Sequence, residues 1–321
     1  MPENAPWDDI ATPPRGYYVR YVTAKPAVNL CWGKDVEGRC LFIVELEGDH
    51  TELFRERFIR VSGIEVDLRD LRDETQGLIL TLGKHIDRDI FFALCQTLIT
   101  SLEPLFDPGA ALGVTFKHIQ RWKHFLAGKR PRILSPQEIR GLFAELCFLS
   151  LLKDKCSEDV QAVEAWGGPD RIHHDFIFNH TAVEVKSISG RDRSVVRISS
   201  EDQLETVSEQ LFLKVYRLTD SRDQTLGQSL NEVVSEIANE LDSIEAVEEY
   251  WRKLATCGYV ELREYDKPKF IVHGSNAFRV TTGFPRLQRS ALPDGVVDVK
   301  YKIQLEKIAP FECDQSEIWE E

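Results

Sequence analysis

HHDFIFNHTAVEVKS, residues 173–187, is the stretch on which the reading of the whole chain turns. Phe176, Ile177 and Phe178, then Ala182, Val183 and Val185, spell two short strands bound for an interior, and Asn179-His180 between them suits a tight turn. Yet the same letters include Asp175, Glu184 and Lys186, and charge in buried strands is expensive unless it is paired, ligated or used. Folding about Asn179-His180 pairs Phe178 with Thr181, Ile177 with Ala182 and Asp175 with Glu184. Side chains alternate along a strand, so Lys186 shares the face of Glu184. Opposed residues hold their Cβ atoms about 4.5–5.5 Å apart, and two carboxylates so placed repel unless a proton or cation lies between them. Mg²⁺ takes oxygen ligands, often one or two carboxylates completed by water and phosphate. The neighbouring lysine would bring positive charge to a substrate phosphate or to an attacking water. A cross-strand salt bridge on a solvent-facing sheet would give the same letters, and that reading stays open from the hairpin alone.

Upstream, SPQE (135–138) is a helix start: Ser135 as N-cap, Pro136 at the first helical position and Glu138 closing a capping box. Ile139, Leu142, Phe143, Leu146 and Leu149 then form a buried stripe, and Glu145 lies on its rim, able to point along the core edge toward a sheet. AWGGPDRI (165–172) reads as a turn-rich approach to the hairpin, with Trp166 as a core aromatic. After it, SISGRDRSVVRISS is a basic loop and strand, and SSEDQLE opens a short capped helix containing Gln203.

This succession resembles the PD-(D/E)XK nuclease superfamily, in which an Asp on one strand is followed by Glu-x-Lys on its antiparallel neighbour; here those are Asp175 and Glu184-Val185-Lys186. More narrowly, "RWKHFL…LSPQEIRGLFAELCFL…AWGGPDRIHHDF…AVEVKSISG…RISSEDQLE" (about 120–210) is similar to a bacterial family of PD-(D/E)XK members associated with restriction-modification and phage-defence neighbourhoods. The Pro of the motif is absent, replaced by His174. The resemblance implies an α/β, restriction-endonuclease-like core and a Mg-dependent deoxyribonuclease, an endonuclease in preference, with Mn able to substitute. It implies Asp175 and Glu184 as metal ligands with the Val185 carbonyl as a third. Lys186 would position or help deprotonate the attacking water, Glu145 would bind metal through water or orient the nucleophile, and Gln203 would hold the lysine or the DNA backbone. The alternative is a catalytically silent scaffold or DNA-binding subunit of a larger defence complex.

The rest of the chain frames that core. Its 321 residues carry a formal net charge of -13, with 42% hydrophobic and 29% charged residues, a soluble globular composition. The acidity argues mildly against a nucleic-acid partner, but Lys117 to Arg140 runs strongly basic. Arg121, Lys123, Lys129, Arg130 and Arg132 there, with Arg191 and Arg193 after the hairpin, are candidate phosphate contacts. Seven scattered cysteines, with no C-x-x-C, fit reduced thiols in a cytoplasm rather than a disulfide scaffold or zinc knuckle. No apolar run reaches the length of a membrane helix, and MPENAPWDD reads as neither a signal nor a transit peptide. The expected organisation is a β-rich N-terminal module (1–107), a nuclease-like core (108–225) and a C-terminal α/β segment (226–321). DNA is the expected partner, with protein partners from a defence system and a homodimer compatible with the acidity and extra modules. Strands are expected at 40–46, 77–82 and as a pair over 57–68, a continuous helix over 226–255, and strand-like alternation from 257 to 312.

Overall fold

The computed structural model describes the chain except residues 1–4, 24–27, 73, 85, 127–131, 171–173, 190–194, 207, 222, 224 and 321 and the side chains of Thr23 and His124. His173, Lys129, Arg130, Arg191 and Arg193 therefore lie outside the described residues. The chain is a mixed α/β protein of two units: residues 1–133 with 258–263, and residues 134–257 with 264–321.

The first unit is built on β1 (Tyr17–Thr23), β2 (Val28–Asp35), β3 (Cys40–Glu47), α1 (Thr51–Arg57), β4 (Ile64–Asp70), β5 (Thr75–Leu82), α2 (Arg88–Leu102) and α3 (Pro108–Leu126). Its five-stranded sheet runs β1-β2-β3-β5-β4, every pair antiparallel. Strand β3, CLFIVELE, is buried over most of its length, as its near-continuous apolar run requires. Trp7 is fully buried against Trp32 and Phe91, and its Nε1 donates to the Leu41 carbonyl at 2.8 Å, so the ring's polar atom is satisfied where its body is buried. The strand pair expected over 57–68 is instead the end of α1 followed by β4 alone. TELFRER places Glu52 in the first helical turn and Arg55 and Arg57 in the last, an arrangement that suits the helix dipole. Gly63 then turns the chain at φ +75, where a Cβ would stand 2.2 Å from Ile86 Cγ1.

The second unit contains α4 (Pro136–Lys153), α5 (Asp159–Ala165), β6 (Phe176–Phe178), β7 (Thr181–Ser189), β8 (Val195–Ile198), β9 (Gln210–Asp220), α6 (Leu230–Glu240), α7 (Ile244–Thr256), β10 (Phe270–Arg279), β11 (Tyr301–Gln304), α8 (Leu305–Ile308) and β12 (Glu312–Cys313). Its sheet runs β12-β10-β9-β7-β6, with β7 and β9 parallel and the other pairs antiparallel; β8 and β11 form a separate ribbon. The α4 capping box forms: Ser135 Oγ accepts from the Glu138 N–H at 3.3 Å, and Glu138 Oε2 accepts from the Ser135 N–H at 2.9 Å. Aromatic contacts seat α4 on the sheet, Phe143 against Phe270 of β10 and Phe148 against Phe176 of β6, with centroids 4.9 and 4.7 Å apart. Ala182 and Ile188 of β7 join Leu211, Leu213 and Val215 of β9 in a core with the β8–β11 ribbon.

Three expectations give way here. The helix expected over 226–255 is two helices, because Leu241 turns extended and Ser243 caps a new start, its hydroxyl accepting from Ala246 N–H at 3.0 Å. The YVEL stretch (259–262) forms no strand, and SSEDQLE forms only a 3₁₀ turn, Glu201–Leu204.

Candidate active site

The hairpin folds in the register its letters require: Phe176 opposite Val183, Ile177 opposite Ala182 and Phe178 opposite Thr181. Asn179 sits at φ +47, a turn conformation Asn tolerates. Asp175 stands just before β6, and its Oδ2 accepts the Val185 N–H at 2.7 Å, a side-chain rung continuing the ladder where the strand itself has stopped. In an extended strand a residue's N–H and C=O face the same edge, so the Val185 carbonyl faces the edge that Asp175 occupies. Glu184 is fully buried on β7; Lys186 Nζ donates to its Oε1, while its Oε2 is buried without a hydrogen-bond partner among the described residues.

Helix α4 brings Glu145 to the same place. Its Oε2 accepts from Trp166 Nε1 at 2.9 Å. Glu145 and Asp175 meet at Gly168: a Cβ there would stand 3.1 Å from Glu145 Oε2 and 3.3 Å from Asp175 Oδ1. The Gly167 and Gly168 N–H groups both donate to the Asp175 carbonyl, at 2.9 and 3.1 Å. The Trp-Gly-Gly turn thus grips Asp175 by its backbone and Glu145 by its carboxylate, and the missing side chain of Gly168 leaves room for both acids. A buried lysine holds this turn from behind: Lys253 of α7 donates to the carbonyls of Trp166 at 2.5 Å and Glu164 at 2.9 Å, with Asp170 3.5 Å away. Arg252 adds two contacts to Asp170 at 3.0 and 3.1 Å.

The electrostatics of the cluster agree on one deficit. Burial, then Asp175, pushes Glu145 up to about 8 against the pull of Trp166 and Lys186. Burial, then Asp175, pushes Glu184 well above the usual carboxylate range, with Glu145 adding to it. Burial raises Asp175, although Lys186 and the Val185 N–H draw it down. Burial pulls Lys186 down, but Glu184 and Asp175 outweigh it and leave it raised. All three acids are raised by burial and the lysine is raised by the acids: added positive charge would relieve the cluster.

Of the residues singled out in the sequence, Asp175, Glu184, Lys186 and Glu145 are brought together, with Val185 between them. Gln203 is engaged elsewhere, its Oε1 accepting the Ser199 N–H at 2.8 Å, and no described contact links it to the cluster. His174 is buried, at 3% exposure, and does not offer its ring to solvent. Arg121 is half-buried and pairs with Glu261 at 3.4 Å, so it is no freely displayed phosphate contact; Lys123 and Arg132 are exposed, and Arg132 Nη1 donates to the Ile133 carbonyl at 3.4 Å. Trp166, Gly168 and Lys253 escaped the sequence reading. The residue types were visible, a Gly-Gly pair beside an N–H-bearing aromatic ahead of the charged hairpin and a lysine on the stripe Ala246, Tyr250, Leu254 of an amphipathic helix, but nothing local shows that they meet the acids.

A family model described as "Putative PD-(D/E)XK family member, (DUF4420)" matches residues 4–306. The chain belongs to this family. No curated protein and no solved structure matches it. The PD-(D/E)XK description points to a nuclease in general.

Whether these residues fit the divalent metal such nucleases use can be judged from the donors. A buried carboxylate oxygen without a partner, two further acids in the same electrostatic field and a strand-edge carbonyl make an oxygen-rich, cation-deficient set, which fits Mg²⁺ or Mn²⁺. Among the described residues no group of three or more His, Cys, Asp or Glu forms a ready-made cage. No described helix is long and apolar enough to cross a membrane, and all seven cysteines are free.

Proposed function

We propose that the protein is a metal-dependent nuclease hydrolysing DNA phosphodiester bonds, as an endonuclease, in the restriction or phage-defence setting its resemblance implies. The observation that carries this reading is Glu184: fully buried, one oxygen on Lys186, the other without a partner among the described residues, beside Asp175 and Glu145. A structural salt bridge would satisfy both oxygens or leave them in water.

In this reading Asp175, Glu184 and the Val185 carbonyl hold Mg²⁺ or Mn²⁺. When bound, the ion supplies Lewis acidity toward a phosphoryl oxygen and a lowered pKa for its water. The chain's own residues do the rest. Lys186, oriented by Glu184, offsets charge building on the phosphate and orients the attacking water. Glu145, pinned at Oε2 by Trp166, keeps Oε1 for a proton and suits proton exchange with that water near neutral pH. The Trp-Gly-Gly turn, held from behind by Lys253, fixes the two acids.

The test is cleavage of supercoiled plasmid, linear duplex and single strands by purified protein in Mg²⁺ or Mn²⁺, beside Asp175→Asn and Lys186→Gln. Nicked or linear plasmid formed by the wild type and lost in both variants supports the reading; equal cleavage by all three proteins marks a contaminant and removes it. The silent-scaffold reading draws on the absence of a ready-made cage among the described residues. It would be favoured by metal binding that Asp175→Asn abolishes, without cleavage by the wild type.

A further inference from the structure

In the first unit, α1 and α3 frame a groove of about 750 Å³. Its walls include Arg57, Phe58 and Ile59 at the end of α1, and Gly113, Lys117 and Gln120 along one face of α3. The helical spacing of Gly113, Lys117 and Gln120 stacks them in a row. Gly113 keeps the α3 wall low: the Arg57 guanidinium Nη1 lies 3.4 Å from where its Cβ would be. Neither Arg57 nor Lys117 has a carboxylate within ion-pair distance among the described residues, unlike Arg39, Arg88 or Arg252. Phe58 stacks at a tilt on Phe54, centroids 5.3 Å apart, and Phe54 rests on Phe116 at 5.8 Å; yet Phe58 itself is 43% exposed. A supported aromatic ring left open in the same groove as two cations that have no ion-pair partner among the described residues offers a stacking platform beside phosphate contacts.

We propose that this groove binds a single-stranded stretch of nucleic acid, a base stacking on Phe58 and phosphates meeting Arg57 and Lys117. A base in a duplex hides its faces in the stack, so the exposed ring selects for unpaired strands. Gln120 supplies a donor and an acceptor for a base edge or sugar. Glu56, also on the wall, opposes a phosphate and sets the groove's affinity below what its cations alone would give. An acidic peptide would use the two cations but has no need of an open aromatic face. The proposal does not depend on the hydrolytic reading, since no residue of the acid cluster enters it.

The experiment is fluorescence anisotropy of a labelled oligothymidylate with the full chain in EDTA, where metal-dependent cleavage is off, at two salt concentrations. Arg57→Ala with Lys117→Ala is expected to weaken binding at least tenfold and flatten the salt dependence by about 1.4 in log–log slope, about 0.7 per lost single-strand contact. Phe58→Ala, a change at an exposed ring, is expected to weaken the single strand by about 5- to 100-fold, about one base stack, while hardly altering a blunt duplex. Glu56→Gln is expected to tighten binding. No binding by the wild type, or variants that bind as the wild type does, would overturn the proposal. So would a polyglutamate peptide displacing the oligonucleotide with Phe58→Ala having no effect, which would make this an acidic-protein docking surface. Cleavage assays with Asp175→Asn report on the acid cluster separately, so either reading can fail alone.

Discussion

Strands β3 and β7 are both interior strands, both largely buried, and opposite in what they bury. In β3, Leu41 to Val44 are apolar, and its acids are spared: Glu45 is half-exposed, accepting from Asn29 Nδ2 at 3.1 Å, and Glu47 is exposed. In β7, Glu184 sits at 0% exposure in the middle of the strand with Lys186 two residues on. Similar backbone and similar burial thus serve opposite ends. The β3 residues contribute stability, while the β7 charges cost stability through desolvation, a cost the proposed site would explain.

The largest expected effects come from exchanging the two cases. Phe42→Ala in β3 is expected to cost about 3–5 kcal/mol in urea unfolding of the first unit, leaving cleavage per folded molecule unchanged. Glu184→Gln in β7 is expected to lower cleavage by about 10³-fold with stability held or raised, because a buried acid short of partners becomes neutral. A Glu184→Gln protein that is destabilised yet still cuts would break the comparison.

A buried histidine sharpens it from the first unit's side. His118 is buried, with Nδ1 unpartnered among the described residues, and burial, then Arg121 and Lys117, holds it down to about 4. The unfolded chain takes that proton near 6.5, so between 6.5 and 4 the unfolded state binds more protons and stability falls as the pH drops. The loss is about 3 kcal/mol over the window. His118→Leu is expected to flatten urea-unfolding stability between pH 7 and 4.5 for this unit.

The second unit is expected to run the other way. Its raised carboxyls, Glu145 reaching about 8, contribute stability that is present below their unfolded values and lost as the pH rises through the folded ones. Without metal, the melting temperature should fall from pH 5.5 to 8. Mg²⁺ should restore about 2.7 kcal/mol at a hundredfold excess over its Kd at pH 8, and little at pH 5.5. Equal Mg²⁺ shifts at both pH values would mean that the ion binds elsewhere.

The smallest change is a single methyl. Gly168→Ala puts a Cβ against both Glu145 and Asp175, and is expected to lower cleavage by about tenfold through displacement of their carboxylates, with far-ultraviolet circular dichroism unchanged. An unaltered rate would show that the turn does not set the acids' positions.

What could be read without coordinates followed local rules. The hairpin register came from a two-residue turn and a period of two; α4 came from Ser135-Pro136-Gln137-Glu138, and Glu145 from its place on the rim of the stripe. The 226–255 stretch failed because apolar spacing carries across a break when the cap between, Ser243, is overlooked. Trp166 and Gly168 were illegible for another reason. A turn's role depends on which distant side chains come to it, here Glu145 of α4 and Lys253 of α7, and no local pattern records that meeting. Gln203 shows the converse: its position in the chain suited a site, but the Ser199 N–H beside it claims its oxygen.

The outermost strands of the second unit's sheet, β6 and β12, are three and two residues long. Stubs of that length expose few unpaired amides, which is how sheets avoid recruiting strands from other chains. Just before the start of β6, Asp175 takes the Val185 N–H with its own carboxylate. An incoming β-strand would have to displace that contact before it could pair there. Crowded or partly unfolded populations of this protein should therefore nucleate cross-β assembly poorly at this edge, with Asp175 as its guard against aggregation.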